Sequence, residues 1–325
     1  MSASVFSPEV QLTTAPVLLG GENRSGTTLL SIILDSHPDL SVGPEIDFTE
    51  PVNLGPHILK ACDFMDDEQI NGGDALIRVW KQTENPAFSG WYDGVHFVAQ
   101  CERSGLSRNE VRAKIAEAMQ QRGNDLSGLM DRCFLMELMG EYQRTKLGTR
   151  RWGLKLQRKI RDVDRYAQIW PNAHFIHIVR DGRDLAASHL KTVPDWGYRS
   201  VSEAAHGWLE IVSRSHKVQP PHRYLEIRYE DLVTDTREVL KTMLAFLGLP
   251  WSEAPLRHSE QNHTLLANPW GHPAAEDVSK PLYTQRNGRY KTDLSPEQTE
   301  EFERIAGSEL LRLGYGLSDK INPGS

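Results

Sequence analysis

Residues 17–47, VLLGGENRSGTTLLSIILDSHPDLSVGPEID, constrain the fold more than any other stretch of the chain. Val17-Leu18-Leu19 is a short apolar run stopped by Gly20 and Gly21, the pattern of a buried strand. A loop follows, Glu22-Asn23-Arg24-Ser25-Gly26, and Thr27-Thr28 opens a helix with Leu29, Ile32 and Ile33 among its apolar positions. Strand, glycine-rich loop and helix start together make an anion cradle. The unpaired amides of the first helical turn and the positive end of the helix dipole converge on one point.

The spacing Gly21-x-x-x-x-Gly26 is that of a nucleotide-triphosphate P-loop, but Thr27 stands where that motif carries lysine. The basic group is instead inside the loop, at Arg24. Such a loop suits an anionic group and is poorly built to grip a magnesium-bound triphosphate. A turn that needs its glycines for backbone reasons alone is the plain alternative.

The run R-S-G-T-T-L-L followed by L-D-S-H-P resembles the 5′-phosphosulfate loop of sulfotransferases, in particular the tyrosylprotein sulfotransferases and their bacterial relatives. The resemblance implies 3′-phosphoadenosine 5′-phosphosulfate (PAPS) as sulfuryl donor, with Arg24, Ser25, Gly26, Thr27 and Thr28 around its phosphosulfate. It also implies that Glu45, 21 residues after Arg24, is the general base. A carboxylate can take the proton of an acceptor hydroxyl when a dry pocket raises its proton affinity. A solvated loop glutamate is the alternative, since Asp47 and Glu50 stand nearby. The loop is expected to begin at Val42-Gly43-Pro44-Glu45.

Further motifs extend the resemblance along the chain. Trp152-Gly153-Leu154-Lys155-Leu156 reads as a second strand and is similar to the W-G-x-K segment of the bacterial relatives, which implies that Lys155 reaches the bridging oxygen of the donor. Gln157 replaces the proline that often follows there. His174-Phe175-Ile176-His177-Ile178-Val179 is the clearest buried strand. His174 and His177 lie three apart on it, so they point to opposite faces and do not share a metal. Arg180-Asp181-Gly182-Arg183-Asp184 then turns into a helix bearing Ser188. This resembles the family's 3′-phosphate motif: the arginine forks onto phosphate oxygens and the serine adds a third hydrogen bond. A purely structural ion pair is the competing account. Arg228-Tyr229-Glu230-Asp231-Leu232 is similar to a family segment whose tyrosine contacts the adenosine, which implies that role for Tyr229 beside ordinary packing. Gln285-Arg286-Asn287-Gly288-Arg289-Tyr290-Lys291 looks like the family's clamp over the 3′-phosphate, with Arg286 and Gly288 as its members and Arg289 and Lys291 as further possibilities.

Between these motifs the chain is expected to be mostly helical. Residues 52–150 read as a helical insertion: Ser107-Arg108-Asn109-Glu110 is a capping box ahead of Val111, Ile115 and Met119, with Gly123 as stop, and a second helix is expected over about 126–146. The methionines of that helix suit core filling. Aromatics among glycines in Asn85–His96 suit packing or an acceptor pocket. Helices are also expected near 201–217 and 235–248, and Ser295-Pro296-x-Gln298 starts a last one. Residues 251–287 are irregular enough to suggest a lid-like loop.

Composition narrows function from the other side. The chain has 325 residues, 39% hydrophobic and 25% charged, with a net charge of −7. That balance excludes a general nucleic-acid binder, which carries a broad basic surface. No apolar run reaches the roughly 18 residues of a membrane span. The first residues lack the pattern of a secretory signal, and Cys62, Cys101 and Cys133 show no paired or metal-type spacing. A cytoplasmic protein with reduced thiols is expected, a departure from the membrane-anchored tyrosylprotein enzymes.

Strands near 16–20, 151–156, 174–179 and 223–228, alternating with helices, predict an α/β fold: a P-loop-like parallel sheet flanked by helices on both faces, as one domain over 1–325. The expected function is in-line sulfuryl transfer from PAPS to a hydroxyl acceptor, without a metal. Glu45, Lys155 and Arg24 are the catalytic candidates, and Arg24, Ser25, Gly26, Thr27, Thr28, Arg180, Ser188, Tyr229, Arg286 and Gly288 the donor-binding ones. An ATP-dependent P-loop phosphotransferase and a non-catalytic binder of PAPS or its product PAP (3′,5′-adenosine bisphosphate) are the alternatives. A small molecule, a sugar, a lipid and a peptide tyrosine all stay open as acceptor, as does a homodimer. Asp47, where the tyrosylprotein enzymes carry a basic residue, argues against acidic peptides.

Overall fold

A computed structural model describes residues 12, 14–46, 48, 54–71, 79, 81–82, 92–123, 125–192, 197–215, 223–263, 275–282, 284 and 286–318. Its centre is a parallel five-stranded sheet in the order β2-β3-β1-β4-β5. The strands are β1 (Val17–Gly20), β2 (Leu40–Glu45), β3 (Arg151–Gln157), β4 (His174–Val179) and β5 (Tyr224–Arg228). Four of them fall where the sequence predicts. The fifth, β2, lies where a loop was expected at Val42-Gly43-Pro44-Glu45. Proline has no amide to give a ladder, and β2 accommodates it as an edge strand pairing only with β3. The register passes over Pro44, from Gly43 opposite Leu154 to Glu45 opposite Lys155.

Alternation along the strands sends side chains to two different cores. On one face, Val17, Leu19, Ile176 and Ile178 pack against Leu30 and Ile33 of α1 (Thr27–Asp35) and against Leu240 and Leu244 of α10 (Thr236–Leu247). On the other, Leu18, Leu154, Leu156 and Phe175 face the helices that follow β2. Those helices are α2 (Pro56–Asp67), α3 (Tyr92–Arg103), α4 (Arg108–Arg122) and α5 (Leu129–Leu147), with α6 (Val163–Ile169) after β3. The capping box at Ser107 and Glu110 forms as predicted, and Gly123 closes α4. A third cluster joins Val179 to Trp208 and Phe302, from α8 (Val201–Ser215) and α13 (Pro296–Arg312), beneath α7 (Gly182–Thr192). Between α8 and α13 lie also α9 (Tyr229–Thr234), α11 (Ala275–Val278) and α12 (Tyr290–Asp293).

The segment expected to be irregular holds a short 3₁₀ helix, Ala254–Glu260, before α11. Asp47, Phe88, Trp91 and Gln285 lie outside the described residues. Among those that are described, no helix is long and apolar enough to cross a membrane. Because α1 and α7 leave β1 and β4 on opposite faces of the sheet, a crevice opens at the carboxyl ends of these neighbouring strands. Open α/β sheets bind ligands there.

Candidate active site

The loop after β1 is held against its neighbours by close backbone contact. Gly21 donates its amide to the Gln157 carbonyl at 3.1 Å, and a side chain at Gly21 would collide with the Ile178 carbonyl. Gly26 has φ +94°, a left-handed conformation suited to glycine, and the Tyr229 ring sits where its Cβ would be. No side chain caps α1 at Gly26 and no acid occupies its first turn. The amides of that turn are therefore directed at the crevice with the helix dipole behind them.

Arginines from three separate segments meet at this loop. Arg180, at the end of β4 and 4% exposed, donates to the Arg24 carbonyl at 3.3 Å and to the Arg286 carbonyl at 2.5 Å. Its guanidinium stacks on Tyr229 at 4.7 Å, and its Nε is buried with no hydrogen-bond partner among the described residues. Arg24, itself at φ +70°, donates from Nε to Ser188 Oγ at 3.1 Å. Burial, and after it the charges of Arg286 and Arg180, hold the Arg24 guanidinium below the usual arginine range. Converging cations that repel one another, with a buried donor left over, fit a multiply charged anion. Arg24 touches Ser188, so the two phosphate motifs of the sequence form one continuous basic site.

The carboxyl-terminal clamp closes over that site with a division of labour. Asp184, fully buried, accepts the amides of Gly288 at 2.8 Å and Tyr290 at 2.9 Å. Burial raises its proton affinity, and the two amides and Arg180 oppose that shift. The Gly288 amide is thus engaged in holding the clamp rather than offered to a ligand. Arg286 pairs with Asp277 of α11 at 2.9 Å, and Arg289 pairs with Asp293 at 2.7 Å. Tyr229 is buried behind Gly26 and Arg180, which gives it a supporting place in the floor of the site.

Beside the loop lies a second group of residues that the strand register brings together. Glu45 and Lys155 are paired positions of β2 and β3, and their side chains approach to 3.7 Å. Lys155 is 1% exposed and donates to Thr28 Oγ1 at 3.2 Å. Burial pulls its ammonium below the usual lysine range, an effect that the Glu45 carboxylate opposes. The Glu45 side chain is 37% exposed and faces a cavity of about 120 Å³ lined by Asn23, Ile46, Phe48, Leu156, Gln157, Arg158 and Lys159. Its surroundings are half open rather than the dry pocket expected. Gln157 donates to Glu45 Oε2 at 2.6 Å and accepts from Thr27 Oγ1 at 2.9 Å.

Three residues of the site were missed by sequence reasoning. Gln157 was visible only as a replacement for proline. Asp184 had the look of one more charge in a turn. Glu22, 1% exposed inside the loop, accepts from the Asn23 amide, from Tyr198 and from Arg158. Burial raises its carboxyl above the usual range, and Arg158 opposes the shift. Among the described residues no group of three or more His, Cys, Asp or Glu side chains is placed to hold a metal ion.

A model of the sulfotransferase family matches residues 16–253, from β1 through the 3₁₀ helix boundary and including both phosphate motifs up to Ser188. The chain belongs to the sulfotransferase family. It is similar to the protein-tyrosine sulfotransferase of Drosophila melanogaster, 23% identical over an alignment of 315 residues that covers 92% of this chain and 51% of the fly protein. Protein-tyrosine sulfotransferase 1 of Danio rerio is 23% identical over 313 residues, 92% of this chain and 72% of that one. The chain thus spans about half of the fly relative's length. Two solved structures share the fold of this sulfotransferase. The sulfotransferase domain of the Synechococcus PCC 7002 olefin synthase has a TM-score of 0.62 at 19% identity, covering 96% of this chain and 98% of that domain. The sulfotransferase domain of the curacin biosynthetic pathway has a TM-score of 0.60 at 19% identity, over 95% and 100%. Membership makes sulfuryl transfer the reaction class and does not favour the ATP-dependent phosphotransferase.

Proposed function

We propose that this sulfotransferase moves the sulfuryl group of PAPS to a phenolic hydroxyl seated in the cavity beside Glu45. The observation that carries the reading is the pairing of Glu45 with Lys155 between that cavity and the phosphate loop. The amides of the first turn of α1, with Ser25, Thr27 and Thr28, would hold the phosphosulfate. Arg180, Ser188 and Arg286 would hold the 3′-phosphate, joined by Arg24, whose bond to Ser188 draws it from the phosphosulfate where the sequence had placed it, so that the donor lies across the crevice with its sulfur toward β2.

Chemistry then needs one bond made and one broken in line. The acceptor oxygen forms a bond to sulfur while the bond from sulfur to the bridging phosphate oxygen breaks, and PAP departs. Glu45 takes the hydroxyl proton. The Lys155 ammonium, drawn down by burial, neutralises the charge growing on the departing oxygen. Positioning and fixed charge supply most of the acceleration, as in phosphoryl transfer. The side chains present provide that charge without calling on a metal.

Ile46, Phe48 and Leu156 give the cavity an apolar wall suited to an aromatic ring, and the relatives are named for protein tyrosine. We also read 1–325 as one domain with the helices after β2 as an insertion, since those helices share a core with the sheet. A cytoplasmic setting is supported by three buried, unbridged cysteines.

Calorimetric titration tests the donor site: PAP should bind without magnesium, and better than ADP or ATP. Preference for ATP with magnesium would overturn the reading. Glu45→Gln should keep PAP affinity and lose turnover with a panel of phenols, tyrosine peptides, sugars and alkyl alcohols; unchanged turnover would remove Glu45 as base.

A further inference from the structure

We infer that Gln157 is a positioning residue that orients the Glu45 carboxylate toward the acceptor and couples it to the donor loop, an inference that rests on the reading of Glu45 as base. The orientation of the amide follows from chemistry. An ionised carboxylate only accepts, so the Gln157 nitrogen faces Glu45 and its carbonyl faces Thr27, whose hydroxyl must then donate. The result is a directed chain, Thr27 Oγ1 to Gln157 Oε1 at 2.9 Å and Gln157 Nε2 to Glu45 Oε2 at 2.6 Å.

The backbone fixes Gln157 for this task. Its φ is +49°, an uncommon conformation for a residue with a side chain, and its carbonyl accepts the Gly21 amide at 3.1 Å. Strand β3 ends there and the 3₁₀ helix Arg158–Asp162 begins. The side chain consequently enters between the phosphate loop and β2 instead of following the strand.

Among the described residues, both polar contacts of the Glu45 carboxylate fall on the same oxygen. Gln157 and Lys155 each approach Oε2, at 2.6 Å and 3.7 Å. Neither contact falls on Oε1, and the Glu45 side chain lines the cavity in which a hydroxyl would present its proton. A half-exposed carboxylate without such a tether would rotate between orientations, most of them unproductive. A second chain runs parallel to the first, from Lys155 to Thr28 at 3.2 Å. Both threonines at the start of α1 are therefore linked to the base through one intermediate side chain each. Donor phosphate arriving at these hydroxyls would be felt at Glu45.

Two variants remove the amide in different ways. Gln157→Met keeps the length of the side chain, and Gln157→Gly removes it while relieving the positive φ, so that a folded protein is available for the test. Each should lower kcat about tenfold to hundredfold, the effect of losing a hydrogen bond to a charged group, with PAP affinity unchanged within about threefold. On the residual turnover of a Glu45→Gln background the same changes should cost less than about twofold, because the residue acts through Glu45. A structural role alone would give losses that add. A second readout needs no turnover. In the donor-free protein, the Gln157 side-chain amide proton, assigned by its disappearance in Gln157→Met, should resonate downfield and move upfield in Glu45→Leu. Unchanged kcat in Gln157→Gly, additive losses in the cycle, or an amide signal indifferent to Glu45→Leu would each overturn the inference. A failure of the base itself is distinguished by normal turnover in Glu45→Gln.

Discussion

Arg180 has few degrees of freedom left. Its guanidinium lies on Tyr229, donates to two carbonyls from distant segments, and stands 3.5 Å from Asp184. The fork is thus aimed before any ligand arrives, and little entropy is lost when an anion is gripped. Arg180→Ala should weaken PAP binding by about a hundredfold, whereas Arg180→Lys, which keeps a charge but not the fork, should recover only part of that loss. Calorimetry measures both; equal affinity of Arg180→Lys and the unaltered protein would mean that charge alone suffices. Residues of this kind were legible in the sequence, because Arg180 and Ser188 sit within one strand-helix unit and their spacing is local. Gln157, Asp184 and Glu22 were not. Their roles depend on partners 112, 104 and 176 positions away, Glu45, Gly288 and Tyr198, and no local pattern announces such contacts.

At the scale of elements, α7 is pinned to the phosphate loop through His189. Its ring is buried, lies against the Tyr198 ring in a tilted contact at 4.7 Å and receives the Tyr198 amide on Nδ1 at 3.3 Å. Burial holds its proton affinity down to about 4; a contact with the Asn23 backbone opposes the shift, and the charges of Arg24 and Arg158 add to it. The unfolded chain protonates this histidine near 6.5, so between that pH and about 4 it binds more protons than the folded protein. Stability from this residue is therefore whole above pH 6.5 and lost as pH falls toward 4, by at most about 3 kcal/mol. Glu22, raised by burial, acts in the opposite sense, so the measurement is a difference. The denaturant midpoint of His189→Gln should fall less steeply than that of the unaltered protein from pH 7 to 4.5. Parallel curves would count against a buried neutral histidine. The elements differ in how plainly the sequence announces them. β4 carries Phe175, Ile176, Ile178 and Val179 within six residues and the caps of α4 and α13 are local, while β2 hides behind Pro44, whose place at the edge only its partner β3 explains.

Over the whole molecule the proposed donor site is composite, drawn from residues 22–28, 180–188 and 286–290. A ligand that needs all three binds the folded protein and not the unfolded chain. PAP at about a hundredfold excess over its dissociation constant should add about 2.7 kcal/mol of stability. In a chain of this size that corresponds to a melting temperature about 5 °C or more higher, readable by scanning calorimetry. No shift at saturating PAP would mean that the three segments do not act as one site. Charge and length bounded the class of molecule from the sequence, and the local motifs fall on the loop after β1 and on the turn after β4, which the structure brings together. What the sequence withheld was the way distant segments complete one another.

That completion has a consequence for how the protein comes into being. Asp184 waits for the amides of Gly288 and Tyr290, Arg180 for the Arg286 carbonyl, and Arg183 for Glu303, with which it pairs at 2.5 Å. On the ribosome, β1, α1, β3 and β4 are made long before these partners leave the exit tunnel. Until they do, two buried arginines and a buried aspartate stand at the end of β4 without their intended neighbours. A nascent chain therefore carries these charges without their partners until residues 286–303 have been made, and only then do the three segments complete one another.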